Sequence, residues 1–150
     1  MHLWIDADAC PRVIRDIVLK ASERLQIPIT FVANQLQALP KSQFVRFIKV
    51  DKGADVADSY IIENARVGDL VVTQDIPLAA ELVAAGIHAI NPRGELYTED
   101  NVRERLNMRD FMDNMRGAGL TSGGPPPLND RDKQLFANSL DRLLTKLHRR

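Results

Sequence analysis

Short apolar runs alternate with stretches of helical periodicity along the chain, and this alternation limits the folds open to it. The runs predict strands at residues 3–5, 29–32, 45–50, 70–73 and 87–90. Apolar residues at helical spacing predict helices at 11–25, 55–68, 76–85, 99–115 and 130–147. Strands that alternate with helices form a mostly parallel sheet with right-handed crossovers and helices on both faces. We therefore predict an α/β fold with five strands in the order 3-2-1-4-5 and a C-terminal helical extension.

The carboxyl ends of the predicted strands carry a set of acidic residues. In sheets of this kind the ligand lies outside those ends, at the point where the strand order reverses. Asp6 and Asp8 follow strand one, and Asp75 follows strand four, its neighbour in the predicted order. These three carboxylates should therefore meet in one crevice. Asp55 and Asp58 share one face of the helix that leads into strand four, and at least one of them can face the same crevice.

Each of these acids also has a structural interpretation. Asp8, Asp55 and Asp75 stand directly before predicted helices, where Asp is a favoured N-cap. Asp6 and Asp58 fit that role less well, because Asp6 ends a hydrophobic strand and Asp58 lies within a helical turn. Several carboxylates in one crevice repel each other unless a cation is bound. Oxygen ligands of this kind suit Mg²⁺ or Mn²⁺ rather than zinc.

An acidic cluster that binds a divalent ion predicts metal-assisted displacement at phosphorus. The ion activates water and neutralises charge on the transition state, so no nucleophilic side chain is required. The acids predicted to act as ligands and in catalysis are Asp6, Asp8, Asp58 and Asp75, with Asp55 as a reserve ligand. Thr73, two residues before Asp75, could hydrogen-bond a metal-bound water, although a threonine in a strand is more often structural.

The distribution of charge bears on the substrate. Lysine plus arginine equals aspartate plus glutamate at 20 each, so overall charge provides no general attraction to nucleic acid. Arginines gather in the last third of the chain, however, and a basic flank beside an acidic site suits RNA or another phosphate-rich substrate. Solvated helix faces are the alternative interpretation. The arginines predicted to border the site and bind substrate phosphates are Arg93, Arg109 and Arg116.

The chain is expected to form one cytoplasmic domain. A chain of 150 residues can bury roughly 70% of its unfolded surface, so it needs neither metal nor disulfide in order to fold. The single cysteine, Cys10, cannot form an internal disulfide, and we interpret it as a small buried residue rather than a nucleophile. The N-terminus has the pattern of neither a signal peptide nor a membrane span. Residues 117–150 comprise a Gly/Pro-rich segment, interpreted as a flexible linker, and the last helix. The oligomeric state stays open.

Several motifs carry a resemblance that spans nearly the whole chain. They are Asp6-Ala7-Asp8-Ala9-Cys10-Pro11, Val32-Ala33-Asn34-Gln35, residues 68–79, Asn91-Pro92-Arg93-Gly94, the Gly-Gly-Pro-Pro-Pro segment at 123–127 and residues 136–142. In this combination the sequence resembles the YaiI/YqxD family of bacterial proteins. That family is grouped with PIN-like domains, which use clustered acids and divalent metal to cut RNA. The resemblance implies a PIN-like three-layer sandwich, with Asp6 as the acid after strand one, Asp58 as the helical acid and Asp75 as the acid after strand four.

Two other functions fit the same residues. The segment Trp4-Ile5-Asp6-Ala7-Asp8 looks like the Asp-x-Asp strand end of haloacid-dehalogenase-like phosphatases, with Thr73 as a second motif. Against this, a helix that starts near Pro11 leaves little room for the insertion typical of that fold. The other alternative is a non-catalytic module that binds RNA or a nucleotide. RNA cleavage with Mn²⁺ that is lost in Asp6→Asn would indicate the nuclease, whereas hydrolysis of small phosphomonoesters would favour the phosphatase.

Overall fold

The computed structural model describes residues 1–53, 55–117 and 128–148, and within them the chain forms five strands and five α-helices. The strands are β1 (Leu3–Asp6), β2 (Ile29–Ala33), β3 (Val45–Lys49), β4 (Leu70–Val72) and β5 (His88–Ile90). The helices are α1 (Arg12–Leu25), α2 (Val56–Asn64), α3 (Ile76–Ala84), α4 (Glu99–Gly117) and α5 (Asp130–His148). A single 3-10 turn, Ala7–Ala9, connects β1 to α1.

The five described strands form one parallel sheet in the order β3-β2-β1-β4-β5, which confirms the predicted order. Leu3 of β1 lies opposite Ile29 of β2 on one side and Leu70 of β4 on the other. The central strand is therefore β1, and the strand order reverses between β1 and β4. The alternating strand β3 lies at an edge of the sheet, where Arg46 and Lys49 are exposed.

Helices cover both faces of the sheet, as predicted. Side chains alternate along β1, so Leu3 and Ile5 pack with α1 and α5, whereas Trp4 packs with α2, α3 and α4. Each face thereby buries its own apolar cluster, and the result is three layers. The same alternation directs Asp6, the last residue of β1, to the face that α2 and α3 cover.

The C-terminal helix completes one of the two apolar clusters. Phe136, Leu140 and Leu144 of α5 are buried against the sheet and α1. At the surface, Arg24 of α1 forms an ion pair with Asp141 of α5 at 2.6 Å. The predicted C-terminal extension is thus part of the core in the described chain.

The turn at residues 91–94 is shaped to receive α5. The buried side-chain oxygen of Asn91 accepts hydrogen bonds from the main-chain N–H groups of Arg93 at 2.9 Å and Glu95 at 3.0 Å. Gly94 has a φ of +92°, and a Cβ atom there would lie 2.7 Å from the main-chain carbonyl of Leu135. Only glycine allows this conformation and this approach at once. The Asn-Pro-Arg-Gly motif therefore serves the docking of α5.

The Gly/Pro-rich segment lies mostly beyond the described residues. Helix α4 ends at Gly117, and residues 118–127, predicted to form a flexible linker, lie outside the part that the structure describes. Among the described helices, none combines the length and the apolar character that a membrane crossing requires.

Candidate functional site

An acidic cleft opens at the carboxyl end of the sheet, where the strand order reverses. Its volume is about 310 Å³. Among the described residues that line it there are six aspartates and no lysine or arginine. The aspartates are Asp6, Asp8, Asp51, Asp55, Asp58 and Asp75. All five acids predicted as ligands thus line one cleft, and Asp51, which was not predicted, lines it with them.

Three of these acids lie closest together. Carboxylate oxygens of Asp55, Asp58 and Asp75, one from each residue, lie within 4.8 Å of one another. Asp55 precedes α2, Asp58 lies in its first turn and Asp75 precedes α3. Because α2 and α3 pack against each other on the same face of the sheet, their N-terminal ends bring these side chains together. The predicted reserve ligand, Asp55, belongs to this group, whereas Asp6 and Asp8 line the cleft beside it.

Thr73 connects the acid that follows β1 to the acid that follows β4. Its hydroxyl donates to Oδ2 of Asp6 at 2.8 Å and accepts from the main-chain N–H of Asp75 at 3.0 Å. Asp6 is 7% exposed and Thr73 is 1% exposed, so this hydrogen bond is buried. The Thr73 hydroxyl thus has a structural partner in each of these two acids, and its predicted contact with a metal-bound water stays a prediction.

Asp8, Asp55 and Asp75 were each candidates for a helix N-cap, and only Asp75 makes the capping hydrogen bond. The Asp75 carboxylate accepts from the main-chain N–H of Leu78 at 3.0 Å and so caps α3 while it lines the cleft. Asp55 makes no such bond and adopts a left-handed conformation with φ of +68°. Asp8 instead accepts from the main-chain N–H of Asn34 at 2.8 Å, which joins the β1 and β2 ends of the cleft.

Burial and crowding raise the pKa values of two acids in the cleft. The pKa of Asp6 is raised chiefly by burial and also by the charges of Asp75 and Asp8, while its hydrogen bond from Thr73 opposes the shift. Burial, the charge of Asp75 and a hydrogen bond with Asp75 raise the pKa of Asp58 to about 7. Both carboxyls therefore release their protons at higher pH than exposed ones do, and a bound cation would favour that release. A donor set made only of carboxylate oxygens fits Mg²⁺ or Mn²⁺.

Arg93, predicted to bind substrate phosphates, does not line this cleft. Its guanidinium group pairs with Asp132 of α5 at 2.7 Å, and this ion pair gives it a role in holding α5 instead. The side chains of Arg109 and Arg116 lie outside the described part of the structure, so their roles stay predictions.

Cys10 follows Ala9, which lines the cleft, but it lacks the properties of a nucleophile. Burial raises the pKa of its thiol to about 12. The thiol donates to the carbonyl oxygen of Pro11 at 3.6 Å. Cys10 is half-buried rather than fully buried, and its raised pKa agrees with our interpretation that it is not a nucleophile.

Two residues at or near the site, Asp51 and Tyr97, were not predicted from the sequence. Asp51 follows strand three just as Asp6 follows strand one, so the same rule about strand ends could have selected it. Tyr97 donates its hydroxyl to the main-chain carbonyl of Thr73 at 3.1 Å. No sequence pattern indicates this contact, because every residue type offers the same main-chain carbonyl.

Comparison with known proteins identifies close relatives of the chain. A family model described as "Uncharacterized BCR, YaiI/YqxD family" matches residues 4–146. A relative from Hydrogenovibrio crunogenus, named only as a UPF0178 protein, is 55% identical over 149 residues, which cover 99% of each chain. A UPF0178 protein of Shewanella loihica is 53% identical over 150 residues, which cover 100% of each chain. Another, from Syntrophotalea carbinolica, is 53% identical over 97% of this chain and 99% of its own. No solved structure matches the chain.

Proposed function

The chain belongs to the YaiI/YqxD family, and we propose that it is a divalent-metal-dependent nuclease that cuts RNA. The observation that carries the proposal is the convergence of Asp55, Asp58 and Asp75, whose oxygens lie within 4.8 Å of one another in a cleft lined by further acids. A cleft of this charge repels a phosphate diester on its own. It becomes a site for phosphate chemistry once a cation neutralises it.

The residues of the cleft have distinct parts in this proposal. Asp55, Asp58 and Asp75 would hold the ion, and Asp6 and Asp8 would extend the donor set. When bound, Mg²⁺ or Mn²⁺ supplies charge neutralisation and Lewis-acid polarisation for displacement at phosphorus. The chain itself supplies orientation, since Thr73 fixes the carboxylate of Asp6 and the cap of α3 fixes that of Asp75.

RNA as the substrate rests on the resemblance to PIN-like domains. In those domains, acids after two adjacent strands and on a helix bind the metal, and Asp6, Asp75 and Asp58 occupy matching positions here. The single cysteine agrees with a cytoplasmic location, where RNA is available, and we include that location in the proposal.

The geometry supports a phosphatase of the haloacid-dehalogenase kind less well. Such an enzyme would need Asp6 as an accessible nucleophile, whereas Asp6 is 7% exposed and accepts a hydrogen bond from Thr73. Only two residues, Cys10 and Pro11, separate the end of the 3-10 turn from the start of α1, so there is little room for an inserted flap.

An RNA-cleavage assay tests the proposal. The full chain is incubated with an end-labelled single-stranded RNA in EDTA, Mg²⁺ or Mn²⁺, beside the variants Asp6→Asn and Asp58→Asn. Asp16→Asn, an exposed carboxylate on α1 outside the cleft, is purified in parallel as the control. We expect cleavage that requires the metal, survives in Asp16→Asn and is lost in both cleft variants.

Each other outcome has a defined meaning. Equal cleavage by all four proteins would indicate a contaminating ribonuclease and reject the proposal. Mn²⁺ binding without cleavage of RNA would favour the binding module. Turnover of p-nitrophenyl phosphate in place of RNA would favour the phosphatase.

A further inference from the structure

Tyr97 is not among the residues that line the acidic cleft, yet it contacts the main chain that carries two of the acids. Its phenol hydroxyl donates to the carbonyl oxygen of Thr73 at 3.1 Å. Tyr97 is 4% exposed and Thr73 is 1% exposed, so water cannot readily replace this hydrogen bond. A buried carbonyl that lost its donor would be destabilised, and the main chain around it would be free to shift.

Thr73 is the point through which such a shift would reach the site. Its N–H donates to the carbonyl of Ile90 at 3.1 Å, which ties it to β5. Its hydroxyl donates to Asp6 and accepts from the N–H of Asp75. A displacement of Thr73 would therefore move Asp6 and Asp75 relative to each other.

The path of the chain after β5 explains how Tyr97 reaches Thr73. An antiparallel bridge joins Leu96 to Ile90, and the N–H of Tyr97 donates to the carbonyl of Ala89 at 2.9 Å. The returning segment thus lies along β5, and the guanidinium group of Arg105 lies 6.0 Å from the centre of the Tyr97 ring. Burial raises the pKa of Tyr97 to about 12, so the hydroxyl remains a donor throughout the working pH range.

We propose that Tyr97 is a positioning residue of the metal site, which fixes Asp6 and Asp75 through Thr73, a role that rests on the proposed function because it presupposes metal binding by the acids. The residue does not touch the cleft and would not bind the ion itself. Its contribution would be to hold the end of β4 in the one arrangement that keeps both carboxylates in place.

Removal of one hydroxyl tests this role. Tyr97→Phe keeps the ring and deletes the donor, and Tyr60→Phe makes the same change at the other tyrosine, whose ring packs against Trp4. Mn²⁺ binding to the full chain is measured from the electron paramagnetic resonance signal of the free ion. We expect Mn²⁺ binding roughly threefold to tenfold weaker in Tyr97→Phe, the effect of about one hydrogen bond, and unchanged in Tyr60→Phe.

A merely structural role would not change the affinity of the folded molecules. Partial unfolding of Tyr97→Phe would lower the number of Mn²⁺ sites per chain and its circular dichroism signal, but it would leave the dissociation constant of the remaining sites unaltered. That result, or full affinity in Tyr97→Phe, would overturn the role proposed for Tyr97.

A double-mutant cycle that combines Tyr97→Phe with Thr73→Val tests whether Tyr97 affects the acids through Thr73. If Tyr97 acts through Thr73, the two substitutions together should weaken Mn²⁺ binding by less than the product of their separate effects. Independent effects would contradict the route through Thr73. Absence of Mn²⁺ binding by the wild-type chain would reject the proposed function and this role together, whereas binding that is indifferent to Tyr97→Phe would reject this role alone.

Discussion

Asp58 combines partial burial with close contact to other acids of the cleft, and both raise the pKa of its carboxyl. Burial and the adjacent Asp75 raise its pKa from 3.8 to about 7, so the native chain holds a proton that the unfolded chain releases at lower pH. A carboxyl whose pKa is raised in the folded state lowers the free energy of unfolding as the pH rises. The loss begins near its pKa in the unfolded chain and is complete above its pKa in the folded chain. The metal-free protein should therefore lose stability between about pH 4 and pH 7.

Replacement of this carboxyl should stabilise the protein when metal is absent. Asp58→Asn removes the charge that cannot be accommodated near neutral pH. Because Asp58 is only partly buried, solvent screening limits the expected gain to about 1 kcal/mol at pH 8 in EDTA. Urea unfolding at several pH values would measure it, and the gain should disappear near pH 4.

Without metal, Asp58→Asn should be more stable than the wild type, and bound metal should make the wild type the more stable of the two. Mn²⁺ binds the native cluster and not the unfolded chain, so it should raise the melting temperature of the wild type more than that of Asp58→Asn. Asp16→Asn serves as the control and should respond like the wild type. Equal Mn²⁺ shifts in wild type and Asp58→Asn would show that the acids form no functional metal cluster.

Asp75 caps helix α3 and is a proposed metal ligand, and a comparison of Asp75→Asn with Asp75→Ala can separate these two roles. Asp75→Asn keeps a side-chain oxygen able to cap α3, whereas Asp75→Ala loses the bond from the N–H of Leu78. We expect Asp75→Ala to be about 1 kcal/mol less stable than Asp75→Asn in EDTA. In both variants, Mn²⁺ should raise the melting temperature much less than it does in the wild type. Thermal melts with and without metal would show whether cap and ligand are separate functions.

The sequence indicated the neighbourhood of the site better than its closest contacts. Asp6 and Asp75 could be placed near each other because the strand order puts β1 beside β4. The membership of Asp55 in the tightest group depends on its left-handed backbone, which no periodicity encodes. Tyr97 could not be predicted at all, since its partner is a main-chain carbonyl that is distant in sequence.

The turn at residues 91–94 allows a direct test of how closely it packs against α5. Gly94→Ala would place a Cβ atom 2.7 Å from the carbonyl of Leu135, in a backbone conformation that already disfavours side chains. Gly68→Ala is the matched control, because Gly68 has a similar φ of +100° and no atom within 4 Å of the added Cβ. Gly68→Ala should cost about 1–3 kcal/mol from backbone strain alone. Gly94→Ala should cost about 2 kcal/mol more from steric overlap with α5.

Chemical denaturation of the two alanine variants measures this difference directly. Equal losses of stability at the two positions would mean that α5 moves aside at little cost. The turn and the helix would then not be closely packed.

The apolar periodicity predicted the helices and strands correctly, but it predicted their terminal residues less well. All five strands and five helices of the described chain occur where the pattern predicted them. Helix α2, however, ends at Asn64 rather than near Gly68, because Ala65 turns extended while its N–H still donates to the carbonyl of Ile61. Strand β4 ends at Val72 rather than at Thr73, although the N–H of Thr73 still donates to the carbonyl of Ile90 in β5. The apolar periodicity marks neither of these ends.

Helix α5 should be required for the whole chain to fold. Its Phe136, Leu140 and Leu144 fill the cluster that α1 and the sheet would otherwise expose to water. A chain that ends before residue 128 should lose cooperative thermal unfolding and become insoluble. Phe136→Ala, a milder change, should lower the unfolding free energy by about 3–5 kcal/mol. A soluble, cooperatively melting truncation would show that the extension is dispensable.

The two edges of the sheet differ in a way that bears on self-association. Beyond β5, the returning segment with Leu96 and Tyr97 takes up main-chain hydrogen bonds, so that edge is occupied. Among the described strands, β3 pairs only with β2, and its other side could serve as a template for a strand of another copy. Arg46 and Lys49 stand exposed on that strand, and two such strands brought side by side would place like charges together. Growth into fibrils is thus opposed by pairing at one border of the sheet and by electrostatic repulsion at the other.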